Sequence, residues 1–149
     1  MTGRLGRVHV RVNDLDAAER FYTRVLGLRR TYRGRHVVHL TSNDSRELTL
    51  QTHDVGRSAP PDSLGCRFIG FEVPSKTALV TVCERLGGAR AVIVDTGDSW
   101  SVHTTDPAGN GVEIYCDTRE DLLAPHVPRT LSLTELRNAA HDPDGGGRT

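Results

Sequence analysis

Apolar and polar residues alternate strictly from Val8 to Val12, with His9 and Arg11 between the valines. This is the period of a strand with one buried face. The period then changes. Asn13-Asp14 offers a helix N-cap, and Ala18, Phe21, Tyr22, Val25 and Leu26 recur at helical spacing until Gly27 ends the pattern. Three further strand-like runs follow over 28–33, 36–41 and 47–52, the last two separated by the turn-forming cluster Ser42-Asn43-Asp44-Ser45.

The second half repeats this order. Phe68-Ile69-Gly70-Phe71-Glu72-Val73 alternates, Ser75 offers a cap, and Ala78, Leu79, Val82, Cys83 and Leu86 form a helical stripe closed by Gly87-Gly88. Strand-like runs then cover 91–94, 100–105 and 111–116, with Asp106-Pro107-Ala108-Gly109-Asn110 as a tight turn before the last. Strand starts and helix ends keep nearly one offset between the halves, the mark of a duplicated βαβββ module. The expected organisation is a first module over 1–53, a linker over 54–65 containing Pro60-Pro61, a second module over 66–118 and a C-terminal extension over 119–149. Within that extension Ser132-Leu133-Thr134-Glu135 has the form of a capping box, which predicts a short helix to about Ala140 before a disordered tail.

Composition narrows the function classes. Nineteen basic residues balance nineteen acidic ones, and neither sign gathers into a block, so nothing favours nucleic acid or an anionic membrane as a partner. The N-terminal residues lack the apolar core of a signal peptide and no apolar run approaches a membrane span, so a cytoplasmic protein is expected. Cys66, Cys83 and Cys116 are odd in number and lack Cys-x-x-Cys spacing; they read as small buried hydrophobes. No Gly-x-Ser-x-Gly motif supports hydrolysis and no glycine-rich loop supports phosphate binding.

Two words of the sequence carry a resemblance: Val-Asn-Asp-Leu-Asp-Ala-Ala-Glu-Arg-Phe-Tyr-Thr-Arg-Val-Leu-Gly-Leu from Val12 to Leu28, and Asp-Pro-Ala-Gly-Asn-Gly-Val-Glu-Ile-Tyr from Asp106 to Tyr115. With the duplication, they resemble the vicinal oxygen chelate superfamily of glyoxalases, bleomycin-binding proteins and extradiol dioxygenases. The continuation through Tyr115-Cys116-Asp117-Thr118-Arg119 is most similar to the short catechol 2,3-dioxygenase-like branch. The resemblance implies an α+β fold in which two tandem βαβββ modules form a curved mixed sheet around a central cavity, and a small-molecule ligand, commonly in a homodimer. It also implies four inward positions for a divalent metal, which map onto Arg7, Glu47, Phe68 and Glu113. A guanidinium and a phenyl ring have no lone pair to give, so two of the four donors are replaced.

Alternation supports the mapping. If Val8, Val10 and Val12 face a helix, then Arg7, His9 and Arg11 face the other way, together with Glu47, Thr49 and Gln51 and with Glu113 and Tyr115. The same argument turns His103 away from Trp100, although Trp100 also qualifies as a ligand-stacking group. Two carboxylates on one inner surface require a cation or a proton between them. Arg7 fills that role by pairing with Glu47, Glu113 or both, which predicts no metal cofactor and a ligand site made by Arg7, His9, Arg11, Phe68, Trp100 and Tyr115. The competing expectation retains Fe²⁺, Mn²⁺ or Ni²⁺ on Glu47 and Glu113 with His9 or His103, for dioxygenase or glyoxalase-like chemistry. A third is a metal-free enzyme in which His103 or His9 moves a proton. His36, His39, His53, His126 and His141 read as surface residues.

Overall fold

The computed structural model describes residues 5–42, 46–52, 64–87, 90–119 and 127–141. The chain divides into two compact units, one of residues 1–65 with 106–110 and the other of residues 66–105 with 111–149. Each unit contains one βαβββ module.

In the first unit β1 (Arg7–Val12), α1 (Leu15–Leu26), β2 (Arg29–Arg33), β3 (Val37–Thr41) and β4 (Glu47–Thr52) form a sheet of order β1-β4-β3-β2. The α1 crossover lets β1 lie parallel to β4, while the other pairings are antiparallel. Asp14 caps α1 by accepting the Ala17 amide at 2.9 Å, and Gly27 ends it at φ +69°, a left-handed conformation that favours glycine. Tyr22, Leu40 and Leu50 are fully buried between helix and sheet. An irregularity between Arg30 and Tyr32 resets the β2 register, so Arg30 and Arg33 lie opposite Leu40 and Val38 while Tyr32 lies opposite His39. Arg30 and Arg33 therefore reach α1. Both pair with Glu19, at 3.1 and 2.8 Å, and Arg33 also meets Asp16 at 2.7 Å.

The Asp106–Asn110 turn belongs to this unit and is organised by one buried carboxylate. Asp106 Oδ1 accepts the amides of Ala108 and Asn110, and Oδ2 accepts Asn110 Nδ2 and the Tyr22 hydroxyl at 3.0 Å. Asn110 Nδ2 also donates to the Arg11 carbonyl at 3.0 Å. Burial, and then the adjacent Asp106, push the Tyr22 phenol far above the ordinary tyrosine range and keep it a donor.

The second unit contains β5 (Ile69–Glu72), α2 (Lys76–Leu86), β6 (Val92–Asp95), β7 (Ser99–Thr105), β8 (Gly111–Asp117), β9 (Arg129–Leu131) and α3 (Leu133–His141). Its sheet has the order β5-β8-β7-β6-β9. Ser75 caps α2 through the Ala78 amide, and Gly87 ends it at φ +62°. Gly111 is required by close approach. A Cβ there would stand 2.0 Å from the Arg67 carbonyl oxygen and 3.0 Å from the Phe68 ring.

The C-terminal extension differs from expectation. The capping box forms, with the Ser132 amide donating to Glu135 Oε2 at 2.7 Å and the Glu135 amide donating to Ser132 Oγ at 3.2 Å. Before it, β9 adds an unexpected strand to the β6 edge, pairing Leu131 with Ile93. Leu131 and Leu136 are buried, so the extension is part of this unit's core. The expected linker falls almost wholly outside the described residues, as does the expected tail apart from His141, which closes α3. The cysteines divide: Cys116 is buried, Cys83 half-buried, and Cys66 exposed, against the expectation of a buried hydrophobe, because it precedes β5 rather than joining it.

Leu136→Ala should lower unfolding stability by ~2–5 kcal/mol in urea denaturation, the range for emptying a buried leucine site. A loss below ~1 kcal/mol would mean that α3 rests on the surface. For Tyr22, the raised folded-state pKa has a definite sign: its contribution is intact below the unfolded value near 10.0 and declines above it, because only the unfolded chain then releases the proton. Tyr22→Phe should therefore cost stability at neutral pH and flatten the alkaline loss seen in the unsubstituted protein. A parallel alkaline decline in both proteins would contradict this assignment.

Candidate functional site

In each unit one sheet face packs against the helix and the other carries the polar side chains. On the first unit's polar face, strand register arranges the side chains in rows. Arg7, Glu47, Thr41 and Arg29 form one row, His9, Thr49, His39 and Tyr32 the next, and Arg11, Gln51 and Val37 a third. Glu47 is the acidic member of these rows, and its Oε1 is a point of convergence. Arg7 Nε lies 2.5 Å from it, His39 Nδ1 lies 3.2 Å from it, and Thr49 donates its hydroxyl to it at 3.2 Å. The Glu47 side chain retains 21% of its exposure and that of Arg7 51%. His39 is further placed by Tyr32, edge to face at 5.3 Å between ring centroids.

His39 corrects the sequence reading, which put it at the surface. A usable signal was present: with Val38 and Leu40 in the core, alternation turns His39 to the face of Glu47. His9 and Arg11 are exposed on that face and have no side-chain partner among the described residues.

The second unit gathers a different set. His103 lies directly across the β7/β8 ladder from Glu113, and its Nε2 is 3.1 Å from Glu113 Oε1. The Phe68 ring stacks on the imidazole, with centroids 4.5 Å apart and planes inclined by 28°, while the Arg67 guanidinium lies 5.0 Å from the Phe68 centroid on the way into β5. Both members of the His103–Glu113 pair remain part-exposed. In the β5/β8 ladder Gly70, two residues beyond Phe68, stands opposite Glu113, whereas Arg7 stands opposite Glu47. The two modules therefore present their carboxylates in different registers. Tyr115 shares the Glu113 face; burial, followed by Glu72, Asp117 and Glu113, raises its phenol pKa, against the opposing effect of Arg119. Trp100 is not brought into this group. It pairs with Asp95 and Cys116 on the alternate face, where Lys76 at the start of α2 lies 4.7 Å from its ring.

A model of the Glyoxalase/Bleomycin resistance protein/Dioxygenase superfamily matches residues 4–114, most of the chain. The chain belongs to that superfamily. Among solved structures, a glyoxylase/bleomycin resistance protein/dioxygenase domain from Frankia sp. EAN1pec is similar at 24% identity and a TM-score of 0.70, covering 79% of this chain and all of its own. Lactoylglutathione lyase from Agrobacterium tumefaciens is similar at 23% identity and 0.60, over 77% of this chain and 94% of its own. A glyoxalase/dioxygenase from Nostoc punctiforme is similar at 19% and 0.63, over 77% and 91%. These likenesses show the fold. No curated protein matches the chain.

Members of the superfamily are usually metal-dependent, and the donor set here does not fit a metal ion. Of the four expected positions Arg7 and Phe68 have no lone pair to donate. The Arg7 guanidinium engages Oε1 of Glu47, and the Glu113 carboxylate meets a single imidazole. Among the described residues no group of three or more His, Cys, Asp or Glu side chains is placed to hold an ion. No helix among them is long and apolar enough to cross a membrane.

Proposed function

We propose that this protein binds a small organic molecule on the polar face of a sheet without a metal ion. The observation that carries this reading is the 2.5 Å approach of Arg7 Nε to Glu47 Oε1. A guanidinium fixed there supplies a positive charge where a divalent cation would otherwise give it to the carboxylate. Arg7, His9 and Arg11 provide hydrogen-bond donors on the first face, while Phe68 and Tyr115 provide aromatic surface beside His103 and Glu113 on the second. A homodimer in the cytoplasm accompanies this reading.

A second reading, a metal-free enzyme, has one observation in its favour. His103 is held by a carboxylate at one nitrogen and by the Phe68 ring across its face, an arrangement suited to moving a proton to or from a bound molecule. The fold itself supports both, since one architecture hosts binding proteins and enzymes alike.

Metal analysis of untagged protein tests the proposal. After incubation with Fe²⁺, Mn²⁺, Ni²⁺ or Zn²⁺ and desalting, retention should be far below one ion per chain, and Glu113→Ala should leave it unchanged. Near-stoichiometric retention that Glu113→Ala abolishes would overturn the metal-free reading.

A further inference from the structure

The charges on the first unit's polar face do not balance, whereas two arginines on the helix side of the same sheet are matched by carboxylates. On the helix side Arg30 and Arg33 are matched by Glu19 and Asp16 in three ion pairs. On the polar face Arg7 and Arg29 share a row with Glu47, and the row of Arg11 holds no acidic residue. That carboxylate is already engaged by Arg7, His39 and Thr49. Arg11 and Arg29 have no acidic partner among the described residues, and His9 stands unpaired between Arg7 and Arg11 on the same strand face.

The backbone at Arg11 is anchored to the Asp106–Asn110 turn. Its carbonyl accepts Asn110 Nδ2, whose turn is fixed by the buried Asp106 carboxylate and through it by Tyr22. Next to Arg11 in its row lie Gln51, a neutral donor, and Val37. Along the neighbouring row Tyr32 remains 54% exposed beside His39, a broad aromatic surface in the same plane of side chains.

We infer that the molecule bound by this protein carries an oxyanion, a carboxylate or phosphate, received by Arg11 and His9 on β1, with an aromatic or otherwise planar body over the polar face. The inference rests on the binding reading above and adds the charge class of the ligand. An arginine fork matches both oxyanions, so the shared chemistry defines the site. Glu47 then has a second consequence: by neutralising Arg7, it directs the anion along the strand towards Arg11.

The test is an amide-resolved NMR titration of the full untagged chain with benzoate, with its uncharged analogue benzamide, and with inorganic phosphate. Benzoate should shift the His9, Arg11 and Gln51 signals saturably and bind about tenfold or more tighter than benzamide, the effect of one charge-assisted hydrogen bond. Phosphate should compete with it. Arg11→Gln should remove the preference for benzoate, while Arg24→Gln, an exposed charge in the last turn of α1, should preserve it. Equal binding of benzoate and benzamide, absence of saturable shifts on β1, or full retention of the preference in Arg11→Gln would each overturn the inference. Equal binding on this face would do so while leaving the binding reading intact; stoichiometric metal retention would instead remove the binding reading itself.

Discussion

Glu47 is a mostly covered carboxylate on the polar face of a sheet, and the positive charge beside it is built into the chain. β1 runs parallel to β4 with Arg7 directly opposite Glu47, so the pairing of the two strands brings the guanidinium to the carboxylate. The rest of the face follows from that contact. His39 and Thr49 engage the same oxygen, and Arg11 and His9 have no side-chain partner among the described residues. At one of the positions where the family resemblance expects a metal ligand, this chain carries a guanidinium, which has no lone pair to give.

The duplicated modules have diverged in charge as well as in register. The first unit's polar face is dominated by arginine and histidine, whereas the second carries Glu72, Glu113 and Asp117 around Tyr115. The helix sides remain alike, with a capped helix laid over alternating apolar strand residues and ended by a left-handed glycine. Divergence is tolerated on the polar faces because they contribute little apolar burial to stability. On the helix sides, removing a single buried side chain costs kilocalories.

Most of the architecture was legible from periodicity. Alternation at Val8–Val12, the Asp14 and Ser75 caps, the closing glycines and the capping box at Ser132 are local signals whose physics is complete within a few residues. Other features depend on distant partners and left little local trace. β9 is a three-residue strand defined by its pairing with β6, and the irregularity at Thr31 shows itself only in the change of partner that moves Tyr32 to His39. The displacement that sets Gly70 rather than Phe68 opposite Glu113 is of the same kind, because parallel register is set by how the crossover packs. At the candidate site Arg7 and Glu47 were readable from strand faces and resemblance together. His39 was readable too, had the alternation of β3 been followed to its polar side.

The central claim is that Arg7 acts on Glu47 as the cation of the site, and a double-mutant cycle addresses it most directly. Unfolding free energies of the unsubstituted protein, Arg7→Gln, Glu47→Gln and the double variant isolate the pair from the effects of each substitution alone. Arg7 is half-exposed, so solvent screening reduces the expected coupling to ~0.5–1 kcal/mol, weaker in high salt. Coupling in that range, diminishing as salt is added, is the predicted result. A coupling indistinguishable from zero at low ionic strength would show that the two side chains are neighbours without being partners, and the account of a built-in cation would be wrong.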